Sequence, residues 1–294
     1  MNIKETAKKW NISERRIRVL CENGQVDGAI KLSHSWIIPD YATKPLDARK
    51  YAKNTLLESI ATKRALLDKM RPLTEGEVEA LNEAFMVEYT YNSNAIEGNT
   101  LTLRETDMVL KGLTIDKKPL KDHLEAVGHK EAFYFILDLV KNNTPLSQSL
   151  IKQIHSLVLA DKPRDKGEYR RVPVRILGAS HIPPQPYAIE PKMAELLWDY
   201  SNDQRNIVEK LADFHIKFEA IHPFIDGNGR TGRLLVNLEL MKQGYPPIDI
   251  KFTDRMRYYD AFEAYHTHGN LSPMTKLFAE YLNARLSEYL NILQ

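Results

Sequence analysis

The twelve residues from His222 to Arg233 read HPFIDGNGRTGR and bring together side chains suited to phosphate chemistry. Gly227 and Gly229 carry no side chain, so the backbone between them can turn sharply and aim successive amides at one point. If a helix starts there, its positive end adds to the same field, and an anion is the natural occupant. Arg230 and Arg233 are three residues apart, which on a helix puts both forked cations on one face, toward several phosphate oxygens. Asp226 offers a hard oxygen ligand, suited to a Mg²⁺ that would neutralise remaining phosphate charge. His222 can accept a proton from an attacking hydroxyl near neutral pH. Taken alone, these residues predict phosphate-ester transfer. A lone Gly-Asn-Gly fragment would predict only a turn.

The surrounding elements must place these groups at a helix-loop-helix joint. An apolar helical pattern over Val208 to Ile221 ends just before the string, and another helix begins near Arg230. Further helices are expected around Glu125 to Lys141, Ser147 to Ala160 and Pro191 to Ser201. Thr74 with Glu77 and Thr102 with Glu105 make two capping boxes that open helices, and Gly98 supplies a stop for the first of them. From Leu46 to Met70, Tyr51, Leu56, Ile60, Leu67 and Met70 form a helical stripe, so residues 46–73 read as a connecting helix. The stretch Val172 to Ala188 differs: it is rich in β-branched residues, with a glycine and several prolines, and reads as a small β-hairpin or flap. Phe133 to Phe135 reads as core.

Residues 1–45 read as a separate module, with a helix around Lys4 to Trp10, a second helix capped by Ser13, and short strands near Ala29 to Leu32 and Ser35 to Ile38. Arg15, Arg16 and Arg18 project from the second helix. The module holds eight Lys/Arg against five Asp/Glu. Across all 294 residues the net charge is only +2, so any attraction for nucleic acid must be local. With 43% hydrophobic and 27% charged residues, the chain falls in the ordinary globular range. Cys21 is the only cysteine, which excludes an intrachain disulfide and a cysteine-rich zinc site. No apolar run approaches the roughly eighteen residues of a membrane span, and MNIKETAKKW lacks the apolar centre of a signal peptide, so a cytoplasmic chain is expected. His215 and His222 are seven residues apart, against the four of a zinc-protease helix, and His266 and His268 read as polar surface residues.

The string His222 to Arg233 resembles the Fic signature His-Pro-Phe-x-Asp-Gly-Asn-Gly-Arg-x-x-Arg at every fixed position, and the likeness extends over about Thr74 to Leu282, including GEYRR before the flap. The resemblance implies a mainly α fold: a Fic helical bundle over 74–294 with a β-hairpin flap. It implies that this is a protein adenylyltransferase moving AMP from ATP to a Ser, Thr or Tyr hydroxyl of a target protein. His222 would be the base, and Asp226 the ligand of Mg²⁺. Asn228, Gly227 and Gly229 would line the anion hole, and Arg230 and Arg233 would hold the outer phosphates. Ser93 to Gly98 resembles the family's inhibitory motif in its N-terminal helix class, so Glu97 would pair with Arg233 and block γ-phosphate docking. A related role for Glu97 is positioning water for removal of AMP. Ile182 in the flap would clamp the target. Tyr259, with Tyr258 as companion, would line the base pocket, and His266 stands where relatives often carry asparagine, which leaves base selectivity open.

Residues 1–45 resemble the winged helix-turn-helix of excisionase-like and MerR-like DNA-binding modules. A DNA-binding regulator with a Fic sensor domain, or a docking module that delivers protein targets, are the competing readings. The target, the dominant direction of the reaction and pairing with a second copy as a homodimer stay open.

Overall fold

The computed structural model describes the chain except residues 33, 34, 46, 47, 71, 177 and 294 and the side chains of residues 48–54. The start of the connecting helix at Leu46 and the place of Tyr51 in its stripe lie outside what is described. Two compact units separate, Met1–Thr55 and Leu56–Gln294.

In the first unit, α1 (Ile3–Trp10) is opened by a capping box of Asn2 and Glu5 and closed by Asn11 in the left-handed region, φ 51°. Helix α2 (Glu14–Glu22) follows, its Ser13 hydroxyl accepting from the Arg16 amide at 3.3 Å. Strands β1 (Ile30–Leu32) and β2 (Ser35–Ile37) pair antiparallel, Ile30 opposite Ile37 and Lys31 opposite Trp36. Trp10, Ile17, Leu20, Cys21, Val26 and Ile38 form the core. Arg15, Arg16 and Arg18 stand exposed on the outer side of α2.

The second unit is helical. Helix α3 (Ala48–Leu67) seats Ile60 in a core with Leu277 and Phe278, and its Ser59 and Lys63 bond to Asn283 and Ser287. There follow α4 (Glu75–Ile96), α5 (Leu103–Leu110), α6 (Leu120–Lys141), α7 (Gln148–Val158), α8 (Ile189–Asn202), α9 (Ile207–Ile221), α10 (Asn228–Lys242), α11 (Arg255–His268) and α12 (Ser272–Leu293). Both threonine capping boxes form. Of the expected core stretch Phe133 to Phe135, Phe133 is fully buried and Phe135 packs partly buried against the core, while Tyr134 is exposed, since successive helix positions turn to different faces.

Helix α10 is the axis of this unit. It packs against α4, α6, α7 and α9, and its two sides feed two separate cores: Leu234, Leu235 and Leu238 face one, Val236 and Leu240 the other. A helix enclosed on all sides must satisfy its polar side chains internally. Asn237 does so by exchanging two hydrogen bonds with the backbone of Ile248, at 2.8 and 2.9 Å. Glu239 accepts from Tyr200 and pairs with Lys242, both at 2.8 Å.

The described residues of Val172 to Ala188 do not pair as the expected hairpin: among the described residues the only sheet is the β1–β2 pair of the first unit. Its described residues run as irregular backbone into a short 3₁₀ turn at Pro186–Ala188. Pro173, Pro183, Pro184 and Pro186 have no N–H to give a ladder, which is the physical reason that β-branched content did not become strand pairing.

Candidate active site

The joint between α9 and α10 is built by local bonds. His222 closes α9 in the left-handed region, φ 48°, its amide donating to Phe218 O at 3.0 Å. Phe224, two residues on, is fully buried and stacks on His155 at 3.6 Å between ring centroids. Asn228 then clasps the loop: its amide nitrogen donates to Phe224 O and its oxygen accepts from Phe224 N, each at 2.9 Å. The Asn228 side chain therefore braces the loop, leaving main-chain amides at the start of α10 to face an anion.

The two glycines have different reasons to be glycine. Gly227 sits at φ 76°, which only glycine adopts cheaply. Gly229 is helical, but a Cβ there would collide with Glu97 Oε1 and stand 3.0 Å from Arg233 Nη1. Its neighbours must approach the bare backbone.

Arg230 and Arg233 are both buried and reach different partners. Arg230 is 1% exposed and pairs with Glu125 at 3.0 Å and Asp226 at 3.2 Å. Arg233 donates from Nε to Ser93 Oγ at 3.0 Å and from Nη2 to Ser93 O at 2.7 Å and Glu97 Oε1 at 2.8 Å. Burial opposes the charge of Arg233, and the Glu97 carboxylate together with Tyr258 and Tyr89 outweighs it, holding its pKa above the ordinary value. Glu97 follows the last residue of α4 and is one-third exposed.

Asp226 is flanked by Lys162 and Arg230 and accepts from the Gly227 amide. Burial acts to raise its pKa, but the Lys162 hydrogen bond and the Arg230 charge outweigh it and hold the carboxyl down at about 2. His155 secures the same residue from behind: Nε2 donates to Asp226 O at 2.9 Å while Nδ1 accepts from the Gly167 amide at 2.9 Å. Its pKa is lowered to about 4 by burial, so the imidazole is neutral at pH 7.

His222 has its Nδ1 buried and 3.8 Å from Glu219 Oε2, so Nε2 is the nitrogen left to serve the site. Burial lowers its pKa and the Arg170 charge lowers it further, against the carboxylates of Glu97 and Asp226. Burial raises Glu219 to about 8, with the Glu97 charge adding to the shift, so Glu219 is protonated at neutral pH.

Tyr258 is 2% exposed and lies within the core, its hydroxyl 2.6 Å from His215 Nε2 and 3.4 Å from Arg233 Nη1. Tyr259 beside it is 42% exposed and donates to Ile96 O at 3.0 Å. Ile182 stands exposed in the flap. His266 is not a plain surface residue, because its ring stacks on His181 of the flap at 4.3 Å. The Ser180 amide donates to Glu263 at 3.3 Å, and His181 Nε2 donates to Ala220 O at 2.8 Å. Beside them a cavity of about 300 Å³ opens between the flap, α8 and α9.

The structure thus gathers Glu97, Asp226, Gly227, Asn228, Gly229, Arg230 and Arg233 at one joint with His222. Sequence reasoning missed the residues that hold them: Ser93 on Arg233, Glu125 on Arg230, Lys162 and His155 on Asp226, and Arg170 on His222. Only the Ser93 to Gly98 motif, which opens with Ser93, and the GEYRR segment, which contains Arg170, carried any signal of these. Among the described residues no group of three or more His, Cys, Asp or Glu side chains is arranged to hold a metal ion, and no helix is long and apolar enough to cross a membrane.

Residues 145–240 match the model of the Fic/DOC family. The chain is 33% identical over 267 residues to a protein adenylyltransferase Fic of Nematostella vectensis, covering 84% of this chain and 61% of that protein. It is 34% identical over 239 residues to the protein of the same name from Culex quinquefasciatus, covering 79% of this chain and 47% of that one. The chain therefore spans about half to three-fifths of the length of the curated relatives it matches. Among solved structures it superposes on Fic-1 of C. elegans with a TM-score of 0.73 at 28% identity, covering 83% of this chain and 73% of that one. A Fic domain containing signaling protein of Bacteroides thetaiotaomicron gives 0.70 at 29% identity, over 81% and 95% of the respective chains.

Proposed function

We propose that this chain, whose residues 145–240 match the model of the Fic/DOC family, transfers AMP from ATP to a hydroxyl of a target protein and that Glu97 restrains the reaction by holding Arg233. The observation that carries this reading is the convergence of a bare helix start, two buried arginines, an ionised Asp226 and a neutral His222 on one joint. The names of the matched relatives, protein adenylyltransferases, support AMP as the group moved.

In this mechanism His222 Nε2 takes the proton of the target hydroxyl as its oxygen attacks the α-phosphorus of ATP. The bond from that phosphorus to the β-phosphate's bridging oxygen breaks, and pyrophosphate leaves. The amides at the start of α10 and the Arg230 and Arg233 guanidinium groups offset charge that builds on the phosphates. Asp226 suits a Mg²⁺ that arrives with the nucleotide: it is a single, partly exposed, ionised carboxylate, and such an ion completes its shell with phosphate oxygens and water. Bound there, the ion would neutralise phosphate charge, in competition with Lys162 for the same carboxylate. Tyr259 presents the open aromatic ring beside α4 for the base, and Ile182 with the adjoining cavity offers a seat for the target.

The lock follows from the Glu97 contact. Arg233 cannot give its Nη2 fully to a γ-phosphate while Glu97 holds it at 2.8 Å. Removing the carboxylate by Glu97→Gly is expected to raise self-labelling from α-labelled ATP by about 5- to 150-fold, the usual range of coupling between two states. Equal labelling in both forms would remove the lock, and label arriving only from the γ-position would point to phosphate transfer instead. A second reading, removal of AMP with Glu97 ordering a water, is favoured by one observation: Oε1 holds Arg233, while the one-third-exposed carboxylate has a second oxygen.

For residues 1–45 we propose a winged helix-turn-helix that contacts DNA through Arg15, Arg16 and Arg18 on the open face of α2. The isolated segment should bind duplex DNA with an affinity that falls steeply as salt rises. Salt-insensitive or absent binding favours a protein-docking role for the module.

A further inference from the structure

Arg170 is 4% exposed, yet among the described residues no carboxylate lies within ion-pairing distance of it. A buried cation without a counter-ion is costly unless fixed dipoles replace the water it has lost. Its guanidinium finds those dipoles on four main-chain carbonyls. Nε donates to His222 O at 2.8 Å and Nη2 to Ile221 O at 3.4 Å, and these are carbonyls at the end of α9, where no helical amide is left to bond them and the helix dipole is negative. Nη1 donates to Val172 O at 3.0 Å and Nη2 to Pro184 O at 2.6 Å, twelve residues apart at the two ends of the flap. The Arg170 amide adds a bond to Pro223 O at 2.9 Å. One planar group thus closes the base of a flap that has no strand pairing among its described residues, and grips the main chain of the histidine that serves as base.

We infer that Arg170 is a positioning residue for the transfer reaction, joining the flap and His222 into one body so that whatever the flap holds is registered against the base. This rests on the AMP-transfer reading of the same site. Two properties of arginine are used here, and they separate by substitution. The fork spans carbonyls in several directions, which the single nitrogen of lysine cannot do. The charge disfavours protonation of His222, alongside the opposing influence of Glu97, Glu219 and Asp226 around the same ring.

The test uses the full chain carrying Glu97→Gly, with α-labelled ATP and Mg²⁺ and self-labelling as the readout. If this parent does not label, the AMP-transfer reading fails and Arg170 is not at issue. Given a parent that labels, Arg170→Lys and Arg170→Gln should both lower the labelling rate by about 100-fold, the scale of a 1 Å misplacement of a reacting group. ATP affinity by calorimetry should stay within about twofold of the parent, as expected when only alignment is lost. The acid limb of the pH–rate profile should move to higher pH in Arg170→Gln, where the cation is gone, and stay in place in Arg170→Lys. Should the Gln variant not fold, Arg170→Lys decides by its rate alone. Parental labelling by Arg170→Lys, equal loss of rate and ATP affinity, or loss of helical circular dichroism in both variants would overturn the inference.

Discussion

The joint at His222 to Arg233 and the flap at Val172 to Ala188 flank the same site and are held in opposite ways. In the joint, the backbone turn is set by bonds between residues four or fewer positions apart, His222 to Phe218, Asn228 to Phe224, Arg230 and Gly227 to Asp226, and distant Glu125, Lys162, Ser93 and Glu97 add to it only at its charged side chains. The flap instead takes its order from elsewhere in the chain, from Arg170 at its base and from Glu263 and Ala220 at Ser180 and His181. The difference teaches where preorganisation resides. The phosphate end of the site is shaped before any ligand arrives, as electrostatic stabilisation of a developing charge requires. At the flap, proposed above as the seat of the target, no ladder consumes the backbone groups of the described residues.

The largest expected effect breaks the joint at its chemical centre. His222→Ala in the Glu97→Gly background should lower self-labelling by about 10²- to 10⁴-fold, the usual contribution of a general base. ATP affinity measured by calorimetry should hardly change, since the imidazole is not among the groups that hold phosphate. Undiminished labelling would end the assignment of the base. A smaller effect separates shape from chemistry within the same joint. Gly229→Ala, again with Glu97→Gly, no longer meets the carboxylate but still sets a methyl group 3.0 Å from Arg233 Nη1 and over the anion site. ATP binding should weaken about tenfold, roughly 1.4 kcal/mol. Unaltered affinity would mean that phosphate does not approach Gly229 closely.

The same contrast explains what the sequence made legible. The joint could be read because its geometry is local: twelve residues specify the turn, the helix start and the polar types together. The capping boxes at Thr74 and Thr102 were legible for the same reason, each being a three-residue signal. The flap was misread because β-branched residues predict a strand only when amides are available to pair, and Pro173, Pro183 and Pro184 remove them. Glu125 and Lys162 were not visible at all as site residues, since a surface charge and a buried partner look alike until the fold brings positions 64 or 105 residues apart together, as it does for Lys162 with Asp226 and Glu125 with Arg230. Tyr258 and Tyr259 show the limit within one dipeptide: adjacent residues of one helix point to core and to surface, and the pattern alone did not say which was which.

The smallest effect at neutral pH comes from the joint's inner side. Glu219, held up at about 8 by burial and by the Glu97 charge, is a neutral acid at pH 7. Glu219→Gln replaces one uncharged group by another of similar shape, so the rate at pH 7 should change by less than about threefold, on the order of 0.6 kcal/mol. The signs diverge at alkaline pH. A group whose pKa is raised loses its proton as pH climbs through that value, and the new carboxylate would then compete with the γ-phosphate for Arg233, whose charge it already feels. The chain that keeps Glu219 should therefore label more slowly above about pH 8, and the Glu219→Gln variant should not. In the Glu97→Gly background the neighbouring negative charge is gone, so this alkaline limb should move to lower pH. Identical profiles with and without the Glu219→Gln substitution would show that the buried acid stands outside the phosphate circuit, and that the joint's preorganisation rests on Arg233 and Glu97 without it.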